Sequence, residues 1–455
     1  MATTHDVRIW KLEKYEGKQK TTYRVRWVVD GERFGESFET LALADSFRSK
    51  LLTAAREGEA FDTESALPVS MLRATEVKSW FTFACEYADM KWPESSPKYR
   101  ASLAESLMTI TVPMLKGKPP CDPKTLRKAL KTAFNLNTRN APQTDEVRQA
   151  LSFAAKASRN VGELANADTL RTVLRALDLK LDGKKAATNT VRLRRVALGN
   201  AIEYAMSPEQ KLLTANPVED VKMKKRKFVV HEVDPKSVVN PIQGRMLLKA
   251  VGTIGKQGPP LVAFYGLMYY AALRPEEVAN LNKADLSLPK EGWGDLLLRR
   301  ARPEIGQEWT DSGEASEEGP LKHRAEEEER TVPCPPQLTA LLHEHLRQFG
   351  TAPDGRLFRG ARDGGRVGSS VYGRVWATAR ERVFTAEVAA GPLGKRPYDL
   401  RHAAVSTWLN GGVEPTRVAK WAGHSLSVLL RVYAKCLDGG EQAARDRVTR
   451  ALGGE

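Results

Sequence analysis

The sequence predicts a multidomain, mainly α chain: a small α+β module at the N-terminus, an all-α middle, and a mixed α/β C-terminal domain with a small antiparallel sheet. Three observations carry this. At 455 residues the chain is too long for one ordinary hydrophobic core, so roughly two to four domains are expected. Period-two alternation is confined to short stretches near the N-terminus and around residues 295–333, while helical periodicity dominates elsewhere. Breaks around Pro68 and at Asn216-Pro217, the second followed by a basic run, divide the chain into residues 1–66, 71–220, a linker at 221–244, and 245–455.

Charge narrows the partner. Lys and Arg total 71 against 56 Asp and Glu, a net +15 with a pI near 9.5, which is the footprint of a polyanion binder. Nucleic acid leads and an anionic membrane comes second. The longest apolar run, Leu261 to Leu273, has 13 residues, short of the ~20 that span a bilayer, so it predicts a buried helix. The N-terminus lacks a basic start followed by an apolar core, so a cytoplasmic protein is expected. Cys85, Cys121, Cys334 and Cys436 are far apart and form no Cys-x-x-Cys pair, which argues against a disulfide framework and a zinc site.

In the first module Tyr23, Val25 and Trp27 alternate with Arg24 and Arg26, predicting a strand with an apolar inner face and two guanidiniums outward. Asp30-Gly31 predicts a turn, and Phe34 and Phe38 continue the extended pattern. A helix should open near Thr40 and close at Gly58. Arg24 and Arg26 are DNA-contact candidates; a solvated strand face is the alternative. Phe61 to Ser70 predicts a linker.

The middle module should be helical. Trp80, Phe81, Phe83, Ala84 and Tyr87 recur at helical spacing, with further helices at 124–134, 144–156 and 168–177. Aromatics in that pattern point to core. The last helix, opening near Thr188, carries Arg192, Arg194 and Arg195 early and Leu198, Ile202 and Tyr204 later, a basic first turn suited to phosphates. Solvated arginines are the alternative. Lys222, Lys224, Lys225, Arg226 and Lys227 then form a run that serves either as a solvated linker or along a DNA backbone, and Lys224, Lys225 and Arg226 are its contact candidates.

In the C-terminal domain Pro275 suits a first helical position, leaving Arg274 at a helix start with Glu277 placed to hold it rigid. Asp295 to Arg300 predicts a strand. Leu321 to Arg324 and Arg330 to Pro333 predict the two strands of a hairpin, with Lys322 near its tip or on the first strand, and Glu326 to Glu329 a solvated turn. Residues 335–350 and 372–383 predict helices. The glycine-rich segment from Gly360 to Gly368 matches no phosphate-binding fingerprint, so no cofactor is assigned.

Asp399 is expected to cap a helix from Leu400 to Leu409, and a second helix to run from Pro415 to Gly423. A third should turn Val428, Leu429, Val432 and Cys436 inward, with Tyr433 near its middle. Past it Ala444, Val448, Ala451 and Leu452 form an apolar stripe. An arginine that grips phosphate, a histidine that donates to it and a tyrosine that attacks it suit phosphodiester chemistry, and Arg401, His424 and Tyr433 are candidates. Taken singly, Tyr433 and His424 would be core residues.

Four ordered motifs carry a resemblance: Leu273-Arg274 followed by Glu277-Val278, a lysine ahead of Arg330-Thr331-Val332-Pro333, Tyr398-Asp399-Leu400-Arg401-His402, and Gly423-His424 with Tyr433 nine residues on. Together, over residues 245–455, they resemble the tyrosine recombinases, the phage integrase family. The upstream modules resemble more weakly the arm-binding and core-binding domains of phage-type integrases. The resemblance implies that Arg274 and Arg401 bind the scissile phosphate, Lys322 protonates the leaving 5′ oxygen, His424 hydrogen-bonds the phosphate, and Tyr433 forms a 3′-phosphotyrosyl link. Loss of either arginine should then be severe. It implies no metal, double-stranded DNA attachment sites as substrate, a homotetramer on DNA whose C-terminal tails dock on neighbours or fold back, and accessory bending and excision proteins.

One position departs from the family pattern. Three residues before Arg401 the family has His, sometimes Lys, and this chain has Tyr398, a poor general base at neutral pH. Tyr398 stays outside the catalytic set, as a candidate hydrogen-bond donor. Two further functions fit the same residues: DNA relaxation of the type IB topoisomerase kind, and a DNA-binding regulator whose chemistry is weakened.

Overall fold

The computed structural model describes residues 3–16, 21–73, 78–219, 221, 232–322, 328–360, 364–436 and 441–453. Lys224, Lys225 and Arg226 lie outside them. The architecture is mainly α with small antiparallel sheets, and the chain divides into two compact units, Met1–Lys225 and Arg226–Glu455.

The first unit begins with a sheet centred on Thr21–Val29. It pairs antiparallel with Val7–Ile9 and Glu13–Glu16 along one edge and with Glu32–Phe38 along the other. Asp30 and Gly31 both have positive φ, 49° and 81°, the twist that a two-residue hairpin needs. Val25, Trp27 and Val29 are buried against Ala44, Leu51 and Ala54 of the helix Leu41–Arg56. Thr40 caps that helix, its hydroxyl accepting from the Leu43 N–H at 3.3 Å.

Phe61 to Ser70 is folded, where the sequence predicts a linker. Phe61–Asp62 pairs with Thr3–Thr4, Phe61 is fully buried, and the Trp27 indole donates to the Ala66 carbonyl at 2.6 Å. Two apolar anchors and a buried indole donor outweigh the irregular composition.

The rest of this unit is helical. Trp80–Lys91, Pro123–Ala133, Asp145–Ala157, Ala167–Leu177 and Thr188–Met206 fall where periodicity predicts them. Pro97–Thr111 is additional; its buried face mixes Arg100, Ser106 and Thr111 with Leu103, Leu107 and Ile110, which blurs the apolar period. Phe83 stacks on Tyr87 and Tyr204 in the interior, so these aromatics are core.

In the second unit the 13-residue helix Gly258–Tyr270 is buried along most of its length and packs among Pro241–Val251, Pro336–Phe349, Ser369–Val383 and Asp399–Asn410. No helix among the described residues is long and apolar enough to cross a membrane. Gly294–Leu298 is the central strand of a three-stranded sheet, between Leu286–Ser287 and Arg330–Cys334. Gly319–Pro320 pairs instead with Arg300–Ala301.

Among the described residues the hairpin expected between Leu321–Arg324 and Arg330–Pro333 is not formed: Arg330–Cys334 pairs with Gly294–Leu298 instead. Leu321 and Lys322 lie outside any strand, and His323 and Arg324 outside the described residues. The stretch 294–301 offers inward Leu296 and Leu298 to match Val332, and it takes both pairings.

A second apolar cluster joins Ala272, Ala404, Val405, Val418, Ala422, Leu429 and Tyr433. Two local expectations change here. Asp399 is the first helical residue, not the cap, and its carboxylate accepts from the Arg396 backbone N–H at 2.8 Å and from the Arg396 guanidinium at 3.1 Å. Tyr433 ends the helix Leu426–Tyr433 and faces inward with Leu429 four residues before, which turns Val428 outward.

Candidate active site

After the helix Gly258–Tyr270 the chain passes through Ala272 at φ 52°, a left-handed conformation that costs an L-residue about 1–2 kcal/mol. The Ala272 carbonyl accepts from Nη1 of Arg401, whose Nη2 donates to the Ala422 carbonyl. Arg401 is fully buried, and its Nε is buried with no hydrogen-bond partner among the described residues. An arginine held this way has little rotamer freedom left to lose when it meets an anion.

Two residues on, Arg274 opens the short helix Pro275–Val278. Its backbone N–H donates to Oε2 of Glu277 at 2.8 Å, its Nη1 to Oε1 at 2.7 Å, and its Nη2 to the Gly423 carbonyl at 3.1 Å. Glu277 therefore holds Arg274 rigid, as the spacing suggests. It also accepts from Nη2 of Arg330 at 2.7 Å. Burial alone would push the Glu277 carboxyl up, but Arg330, Arg274 and Arg401 outweigh it and hold it at about 2. Three buried guanidiniums thus surround one carboxylate, leaving an excess of positive charge where few waters can screen it.

Gly423 ends the helix Pro415–Ala422 at φ 64°. A side chain there would also run into the guanidinium of Arg330, so the position demands glycine on two counts. The turn sets His424, whose Nε2 lies 2.9 Å from Nη2 of Arg401. An arginine has no acceptor, so Nε2 accepts, and the neutral ring carries its proton on Nδ1. That Nδ1 is buried without a partner among the described residues. Burial, and then Arg401 and Arg274, push the imidazole down to about 3, so His424 is neutral at physiological pH and holds one unspent N–H donor.

Tyr433 is 1% exposed. Its ring lies 6.0 Å from that of His424, and its hydroxyl is 2.9 Å from Nδ1 of His402. Burial pushes the phenol well above its ordinary range, and Arg401 only partly opposes it. Two adjoining hollows of about 590 and 730 Å³ share Lys322, Tyr398 and His424 in their walls; Arg274 faces the first, and His402 and Tyr433 face the second. Lys322, exposed on the turn after Gly319–Pro320, thus stands at the rim.

Of the five residues named from the sequence, Arg274, Lys322, His424 and Tyr433 line these hollows, and fully buried Arg401 stands behind them, 2.9 Å from His424. Sequence reasoning missed Arg330 and His402 as members of the cluster. Each left a signal: Arg330 lies on the same strand face as Val332 and Cys334, both buried, and His402 is four residues from Tyr398 on one helix face.

Four of the five candidate DNA-contact arginines in the first unit have local partners. Arg26 pairs with Glu13 at 3.4 Å, and Arg24 is exposed. Arg194 donates to the Leu179 carbonyl at 2.8 Å, Arg195 pairs with Asp178 at 2.9 Å, and exposed Arg192 donates to the Asn189 side chain at 3.2 Å.

No family model matches the chain, and no curated protein matches it. Among solved structures it is similar to the integrase of transposon Tn1549 in complex with transposon right end DNA, at 17% identity over 62% of this chain and 85% of that chain, with a TM-score of 0.47. It is similar also to the site-specific recombinase XerH in a pre-cleavage complex with its difH substrate, at 14% identity over 77% of this chain and 94% of that one, TM-score 0.40. The third is a lambda integrase tetramer bound to a Holliday junction, at 12% identity over 91% and 94%, TM-score 0.43.

Proposed function

We propose that this chain is a site-specific DNA recombinase of the tyrosine recombinase kind, cutting and rejoining DNA through a 3′-phosphotyrosyl intermediate on Tyr433. One observation carries the reading: Tyr433 and Arg274 face adjoining hollows that share His424, backed by buried Arg401 and by Arg330, which with Arg274 is tied to Glu277. A phosphodiester has one negative charge, and the five-coordinate arrangement reached as the phenol oxygen adds has two. A preorganised positive excess therefore favours the transition state over the bound ground state.

In this reading Arg274 and Arg401 bind the non-bridging oxygens, helped by the Nδ1–H of His424, and Lys322 protonates the departing 5′ oxygen. The phosphotyrosyl ester conserves the bond energy, so a 5′ hydroxyl reverses the attack without ATP. Arg24, Arg26, Arg192, Lys224, Lys225 and Arg226 would contact the DNA backbone, and Arg194 and Arg195 would act chiefly by fixing the helix that presents Arg192. Val448 and Leu452, 57% and 82% exposed, support a tail that docks on a neighbouring subunit in a tetramer. Attachment-site DNA, accessory bending and excision proteins, and action in the cytoplasm complete the proposal.

The test is capture of the covalent intermediate. Incubation with nicked suicide duplexes tiled across the DNA flanking its own gene should give an adduct that survives denaturing electrophoresis, with the nucleotide mapping by mass to the Tyr433 peptide. An adduct on another residue, or none on any duplex, would refute the assignment. Relaxation of supercoils with no preference among duplexes would favour a topoisomerase instead.

A further inference from the structure

Every proton in the site has to be assigned, and one transfer has no obvious recipient. Tyr433 must lose its phenolic proton as it attacks, yet Tyr398, the residue three before Arg401, is itself a phenol and a poor acceptor at neutral pH. His424 cannot take the proton either: its Nε2 lone pair accepts from Arg401 and its Nδ1 carries hydrogen. Glu277 is spoken for by Arg274 and Arg330.

We infer that His402 is the general base for Tyr433, its Nδ1 taking the phenolic proton as the oxygen attacks phosphorus; the inference rests on the recombinase reading above. The geometry is in place. Nδ1 of His402 is 2.9 Å from the Tyr433 hydroxyl, within the reach proton transfer requires. The rings are 5.7 Å apart, and Tyr398 contacts the imidazole edge-on at 5.2 Å. The helix Asp399–Asn410 thus presents Arg401 to the phosphate and the next residue to the nucleophile.

The step balances. The Tyr433 oxygen–phosphorus bond forms, the bond from phosphorus to the 5′ oxygen breaks, the phenolic proton moves to His402 Nδ1, and the departing 5′ oxygen takes a proton from Lys322. On rejoining, the imidazolium returns its proton as Tyr433 leaves. His402 must therefore enter the reaction neutral, with its proton on Nε2. Glu232, Asp234 and Asp399 face the same hollow, as do Lys322, Lys395 and Arg396, with Tyr398, His424 and Tyr433 as its other titratable walls.

The experiment is single-turnover adduct formation by the full chain on the tiled suicide duplexes, from about pH 5 to about pH 9, for wild type, His402→Gln and His402→Asn. Wild-type rate should fall on the acid side as the imidazole gains its proton. Both variants should bind the duplexes as wild type does, form adduct about 10²–10⁴-fold more slowly near neutrality, and lose that acid limb. A duplex with sulfur in place of the leaving 5′ oxygen needs no proton on departure, so it should restore a Lys322→Ala variant and leave the His402 variants slow.

Folded variants with wild-type rates and the same acid limb would overturn the inference, as would rescue of His402→Gln by the sulfur duplex. In either case a Tyr433-linked adduct would leave the recombinase reading standing. No wild-type adduct on any duplex would remove both.

Discussion

Tyr433→Phe should abolish the covalent adduct while leaving folding and DNA binding intact. The substitution removes one oxygen from a side chain whose ring is packed with Leu429, Val418 and Ala422, so the apolar contacts survive. The hydrogen bond to His402 is lost, and its imidazole sits half-buried beside a hollow where water can replace the phenol. The net stability cost should be about 1 kcal/mol or less. Denaturing electrophoresis on suicide duplexes and gel retardation on intact ones separate the two readouts. An adduct retained by the variant would mean a different nucleophile.

Removing Glu277 should have the largest effect on stability. Glu277→Ala leaves Arg274, Arg330 and Arg401 buried with no carboxylate among them, and breaking a buried ion pair from one side typically costs about 3–5 kcal/mol. Urea unfolding of the full chain should show a loss of this order, and cleavage should fall with it because Arg274 loses its anchor. A change under about 1 kcal/mol would show that the cluster does not hold the unit together.

Acid should act through the same carboxyl. Its folded-state value of about 2 lies below the ordinary 4.5, so the stability it contributes is present above about pH 4.5 and is lost as pH falls toward 2. Glu277→Gln, with no charge to lose, should depend less steeply on pH over that window.

Legibility in the sequence followed the range of the interactions. The Asp30-Gly31 turn, the Thr40 cap and the Gly423 stop are decided within four residues, and each was readable from local chemistry. The Arg274–Glu277 pair, three residues apart, belongs with them. Arg330 reaches Glu277 across 53 positions and His402 reaches Tyr433 across 31, and no local pattern names such partners. The misplaced hairpin has the same origin: Arg330–Cys334 pairs with Gly294–Leu298 because apolar faces far apart in the chain match. At Asp399 two local options competed, and the nearby Arg396 took the carboxylate from the helix end.

The crowd of guanidiniums around Glu277 has a thermodynamic consequence. A pocket with excess positive charge is a place where any oxyanion that binds makes the native state more favourable, by RT ln(1 + [L]/Kd) if the unfolded chain does not bind it. Apparent stability is then partly a property of the buffer. Melting temperatures in sulfate or phosphate should exceed those in chloride for the wild type, and the difference should shrink in an Arg401→Ala variant. Variants of this protein are therefore comparable with one another only when the anion is held constant.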